Sequence, residues 1–137
     1  MKKDIILFES FGSNQNPTHS EIAVKTLHII IQFQMFHWQT EKYSQHNIFD
    51  KFINDFKELG DQLVEVISGI YGRVVIQQET AIPIRNISEL DSLGFIEQAI
   101  DIYNVYKENI VKEAEIITII DEILALFQQL KYLLSFN

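Results

Sequence analysis

The chain contains no cysteine. That excludes disulfides, thiolate metal sites and thiol nucleophiles, and it suits a reducing compartment. Glycine and proline are scarce, with five and two among 137 residues, so long regular elements are favoured over a loop-rich fold. No stretch approaches the ~18 uncharged apolar residues that a spanning helix needs. A secretory leader is not expected either, because Asp4 follows Lys2 and Lys3 and the apolar run from Ile5 to Phe8 is too short for a signal core. Basic residues are outnumbered 11 to 19, for a formal net charge of −8. A nucleic-acid partner is therefore not expected, since binding a phosphate backbone needs clustered Lys and Arg. Glycine-rich phosphate loops and nucleophile elbows are missing as well.

What is present is apolar periodicity. The apolar fraction is 47%, and the length allows one domain with one core. Residues 1–16, with Gly12, Ser13, Asn14 and Asn16, form an expected N-terminal arm. Thr18 and Glu21 have capping-box spacing, which starts a first helix just after Pro17 and carries it to about Thr40. A turn around Glu41–Ser44 leads to a second helix ending near Tyr71, so the two form an αα-hairpin. Between Gly72 and Gly94 the texture changes, and the segment reads as a crossover of about 22 residues, enough to return along a helix of roughly 40 Å. Within it Val74–Ile76 could form a short strand, but one with no partner. A third helix is expected over about Phe95–Ile110 and a fourth over about Glu113–Phe136, with Asn109 as the only nearby breaker. The fold class is all-α, with residues 17–137 forming a single four-helix bundle.

One constellation on the second helix carries chemistry. Taking His46 as 0° and about 100° per residue, Asp50 falls near 40°, Asp61 near 60° and Glu65 near 100°. Phe49, Phe52, Phe56, Leu59, Leu63, Val66, Ile67 and Ile70 fall between about 200° and 300°, on the opposite side. Potential ligands thus face away from the subunit's own core. His37 lies just before the turn, so five candidate ligands occupy 29 residues. Asp50 and Asp61 are eleven residues apart, about 16 Å along a helix, too far to share one ion with bonds near 2.0–2.2 Å. A second copy packed antiparallel across a two-fold axis would bring His46 and Asp50 of one chain to Asp61 and Glu65 of the other, twice per dimer. The bland alternative is a solvated acidic face, which Lys57 at about 20° fits equally well.

The stretch from His37 to Glu65 resembles the ferroxidase segment of the Dps miniferritins, a branch of the ferritin-like superfamily. There a His-Trp pair ends the first helix, a His and an Asp four apart open the second, and an Asp and a Glu follow at +11 and +15 from that Asp. The resemblance is closest over residues 28–72. It implies a ferritin-like four-helix bundle with a long crossover between the second and third helices. It also implies His37, His46 and Asp50 as ligands from one subunit, Asp61 and Glu65 from its mate, and Trp38 beside the iron. His37 and His46 are nine apart, three fewer than the usual family interval. The segment Trp38-Gln39-Thr40, Tyr43 and His46 is also similar to small ferritin-like proteins encoded by bacteriophages.

The implied activity is oxidation of Fe(II) by peroxide or oxygen, with storage of the mineral in a shell built from homodimers through the second helix. Mixed carboxylate and imidazole ligands suit iron, and also zinc or manganese. The implied location is the cytoplasm, or a virion if the chain is phage-encoded. The Lys-rich tails with which some Dps proteins coat DNA are missing. The Glu-x-x-His pair of the larger ferritins is missing too, which argues against a di-iron centre inside the bundle. The rival reading is a non-catalytic, structural or virion-associated bundle that keeps these side chains as an interface hydrogen-bond network. His28 is read as a core or surface residue and His19 as facing water. Glu113, Glu115, Asp121 and Glu122 are read as favourable charges at the start of the fourth helix.

Overall fold

The computed structural model describes residues 17–136, so the expected arm over 1–16 lies outside the described residues. Four helices follow in order: α1 His19–Gln39, α2 Tyr43–Tyr71, α3 Ser92–Asn109 and α4 Ala114–Leu134. Among the described residues there is no strand, and Val74–Ile76 are irregular. No helix of the described residues is long and apolar enough to cross a membrane.

Local chemistry explains the boundaries. The capping box at the start of α1 is complete: Glu21 N–H donates to Thr18 Oγ1 at 3.1 Å, and Thr18 N–H donates to Glu21 Oε1 at 2.8 Å. α2 stops at Gly72, whose φ of 95° is open to glycine and strained for other residues. α3 begins earlier than the sequence pattern suggests. Asp91 caps it by accepting from Gly94 N–H at 3.0 Å, which puts Gly94 inside the first turn rather than before it. The break between α3 and α4 falls at residues 110–113, just after Asn109.

The core is aromatic. Phe33, Phe36, Phe49, Phe56, Phe95, Phe127, Tyr103 and Tyr106 are all essentially inaccessible. Phe33 sits at its centre, with ring centroids 4.8 Å from Phe52, 5.3 Å from Phe36 and 5.6 Å from Phe95. Emptying such a position costs about 3–5 kcal/mol. α1 and α2 approach closely where Thr26 faces Gly60; a Cβ on Gly60 would lie 2.8 Å from Thr26 Cγ2. Thr26 Oγ1 donates to the Ile22 carbonyl at 2.8 Å, so the buried Tyr103 hydroxyl is the donor in its bond to Thr26.

The twenty residues between α2 and α3 run beside α1. Val75 N–H donates to Ser20 Oγ at 3.1 Å. Gln32 then brackets Arg85, accepting from its N–H and donating to its carbonyl, each at 2.9 Å. Gln39 accepts from Ile87 N–H at 2.7 Å and donates to Asn86 Oδ1 at 2.8 Å. These anchors advance along α1 in chain order, so the segment travels from the first turn of α1 to its last. The end of α3 returns to the start of α1, where His19 Nδ1 meets the Tyr106 hydroxyl at 2.7 Å.

Candidate metal centre

Only three residues separate α1 from α2, which brings His37 in the last turn of one helix against His46 in the first turn of the next. Their rings stack with centroids 3.9 Å apart and planes 20° apart. His37 Nδ1 bonds the His46 carbonyl at 2.8 Å, and His46 Nδ1 bonds the His37 carbonyl at 2.9 Å. A carbonyl oxygen only accepts, so both Nδ1 atoms carry the hydrogen. In the neutral rings each Nε2 then keeps its lone pair. The local reason is plain: the last carbonyls of a helix lack intrahelical partners, and His46 supplies one for His37.

His37 Nε2 lies 3.9 Å from Asp50 Oδ1, with the imidazole mostly buried and the carboxylate more than half exposed. Asp50 sits one turn after His46, so the three side chains gather at one end of the hairpin despite the shortened interval between the histidines. Trp38 is 68% exposed beside them. Tyr43, also exposed, lies parallel to His46 with ring centroids 6.2 Å apart. Asp61 and Glu65 are exposed three and more turns further along α2 and do not join this group in the single chain. Among the described residues no set of three or more His, Asp or Glu side chains within the chain converges as a metal cluster.

The remaining histidines fall elsewhere. His28 is buried, edge-on to Phe95 with ring centroids 5.5 Å apart, in keeping with a core role. His19 does not simply face water. It stacks on Tyr71 at 3.9 Å as well as bonding Tyr106, and burial lowers its pKa. Tyr71 in turn lies 2.6 Å from both carboxylate oxygens of Glu113, and this hydrogen bond holds the Glu113 carboxyl below its usual range. Four helix ends therefore meet in a cluster of His19, Tyr71, Tyr106 and Glu113. Single-helix periodicity missed it because each member belongs to a different helix or cap. Elsewhere in the acidic run, Asp121 pairs with Lys107 of α3 at 3.0 Å.

Comparison with known proteins gives kinship. No solved structure matches the chain. It is 31% identical over 130 residues to the "Uncharacterized 14.6 kDa protein in mobD-ri intergenic region" of Enterobacteria phage T4, covering 93% of this chain and 97% of that protein. Residues 37–134, a span that includes His37, Trp38, His46, Asp50, Asp61 and Glu65, match the "Family of unknown function (DUF5856)", and the chain belongs to that family.

Proposed function

We propose that this protein is a ferritin-like, Dps-type iron-binding bundle that oxidises and stores iron at a site completed by a second copy of the chain. The observation that carries the reading is the state of His37 and His46. Metal-ligating histidines usually donate their other ring N–H to a carbonyl or carboxylate, which fixes the tautomer and aims the lone pair. Both rings here have that arrangement, each through the other's backbone. The donor set also fits an ion. Two ligands bonded to one metal at 2.0–2.2 Å lie roughly 3–4 Å apart, and His37 Nε2 and Asp50 Oδ1 are 3.9 Å apart.

On this reading His37, His46 and Asp50 hold Fe(II) as substrate from one chain, and Asp61 and Glu65 of a second copy add the carboxylates that favour Fe(III). Zinc or manganese would suit the same donors. The surface of α1 supports such pairing: Leu27, Ile31 and Trp38 lie along one stripe and are 50%, 41% and 68% exposed. The path of the α2–α3 connection supports a ferritin-like bundle, in which one long crossover joins the second and third helices. The phage relative is compatible with a phage-encoded protein acting in an infected cytoplasm or a virion.

One observation favours a structural alternative. The histidine clamp is already complete through the two backbones and stitches the hairpin together without any ion. Iron content of protein purified without chelator, Fe(II) oxidation rate and solution mass together test the proposal. A monomer that takes up no iron would leave the clamp as a structural device.

A further inference from the structure

The candidate ligands on α2 are symmetrically placed. His46 and Glu65 stand equally far from the midpoint between Asp55 and Phe56, and so do Asp50 and Asp61. α2 is one unbroken helix from Tyr43 to Tyr71, so this symmetry of sequence is also a symmetry along the axis. The packing of α1 adds an independent mark at the same height. Thr26 of α1 lies against Gly60 of α2, and the short turn between the helices makes them antiparallel. About four to five residues back along α2 from Gly60 is the midpoint. The same step forward along α1 from Thr26 reaches Ile30 and Ile31. Ile31 is 41% exposed and belongs to the outward stripe of Leu27, Ile31 and Trp38.

We propose that a two-fold axis crosses α1 beside Ile31 and α2 between Asp55 and Phe56, and that divalent metal gates the pairing of two copies about it. The inference rests on the shared site of the proposed function and concerns what brings that site together. About such an axis each helix of the hairpin packs antiparallel on its own copy. Each end of the contact then gathers His46 and Asp50 of one chain with Asp61 and Glu65 of the other.

Without metal the two faces attract weakly. Asp50, Asn54, Lys57, Asp61 and Glu65 are all exposed. Asp50, Asp61 and Glu65 against Lys57 leave a net charge of −2 on this face of each chain, so pairing brings −4 together. The stripe on α1 supplies three partly exposed apolar side chains, a small part of the ~800 Å² per partner that a stable interface buries. Two divalent ions, one at each end, cancel the gathered charge and bridge the chains. An ion held by ligands of both copies binds the pair more tightly than a single chain, and by linkage it drives association. Two such sites, each at ten times its dissociation constant, tighten pairing about a hundredfold, less what the half-site of a single chain binds.

Sedimentation of the full chain, first stripped with chelator and then titrated with Zn(II), tests this. The dimer dissociation constant should fall at least tenfold on adding Zn(II), with two ions bound per dimer. Ile31→Glu alters no ligand and should weaken the Zn(II)-loaded dimer at least tenfold. Ile76→Glu, which adds the same charge at a residue 60% exposed on the α2–α3 connection, should leave it unchanged. A dissociation constant that Zn(II) does not move would overturn gating. The shared site itself would survive that result if Fe(II) oxidation still required Asp61 and Glu65. Zn(II) bound by a chain that stays monomeric, or no Zn(II) bound at all, would sink the shared site together with the gating. Equal effects of Ile31→Glu and Ile76→Glu would overturn the placement of the axis.

Discussion

His37 and His46 exchange hydrogen bonds from Nδ1 to each other's carbonyl oxygen at 2.8 and 2.9 Å while their rings stack at 3.9 Å. One pair of side chains thereby closes the α1–α2 turn and fixes the tautomer of two prospective ligands. Under the proposed function, stability and metal binding are coupled here, and substitutions can separate them.

In His46→Asn the side-chain amide N–H can stand where Nδ1–H stands, which preserves the bond to the His37 carbonyl and removes Nε2. Stability should fall by less than about 1 kcal/mol, while iron binding is lost. His46→Ala should lose iron and in addition leave a helix-end carbonyl unpaired, costing about 1–3 kcal/mol. Chemical denaturation and iron stoichiometry of the two variants check this. Full iron binding by His46→Asn would remove His46 from the site.

Asp61 and Glu65 lie on the exposed side of α2, off the core. Replacing both with Ala should leave helical content and unfolding midpoint within error and abolish Fe(II) oxidation. Metal-free association should hold or tighten, because like charges gathered at an interface repel. Equal oxidation rates for wild type and double variant would sink the ferroxidase proposal and promote the structural one.

Gly60→Ala tests the helix crossing. Alanine is intrinsically better than glycine within a helix by about 1 kcal/mol. Here its Cβ would meet Thr26 Cγ2 at 2.8 Å, and overpacking of this kind costs about 1–3 kcal/mol. A net loss is expected in thermal unfolding. Thr26→Ser, which keeps the hydroxyl that Tyr103 needs and removes the methyl, should rescue it. Absence of coupling in the double-mutant cycle would show that the helices simply separate.

The cluster at the other end of the bundle sets an acid limit. Glu113 has a folded pKa depressed by its bond to Tyr71, so its contribution is present above the unfolded value near 4.5 and lost as pH falls through the folded value. His19 is depressed by burial, so its contribution is present above about 6.5 and lost as pH falls below it. Both act in the same direction, and stability should decline from pH 7 toward pH 3. Tyr71→Phe should flatten the lower part of that decline in a series of melting curves. An unchanged profile would show that the Tyr71–Glu113 bond contributes nothing.

Much of the fold was legible in the chain itself because the signals are local. Thr18 and Glu21 cap within one turn, and the phase of Phe49, Phe52, Phe56 and Leu63 puts one face of α2 on the core. The scarcity of breakers set the helix lengths to within a few residues. The grouping of His37 with His46 and Asp50 was also within reach, because it needs only a short turn between two helices and one further turn of the second. Asp91 as the cap of α3 was missed, since Gly94 three residues on looked like a boundary when it is the residue being capped.

What the tertiary structure alone decided are the relations between distant segments. His19 reads as a solvent-facing first-turn residue until α2, α3 and α4 deliver Tyr71, Tyr106 and Glu113 beside it. His28 reads as a core or surface residue until the α2–α3 connection is laid along Ser20, Gln32 and Gln39 and brings the Pro83 backbone beside it. Periodicity reports which face of a helix is apolar. It does not report which remote segment covers the polar positions, because that depends on hydrogen bonds made by backbone 48 to 55 residues away in sequence.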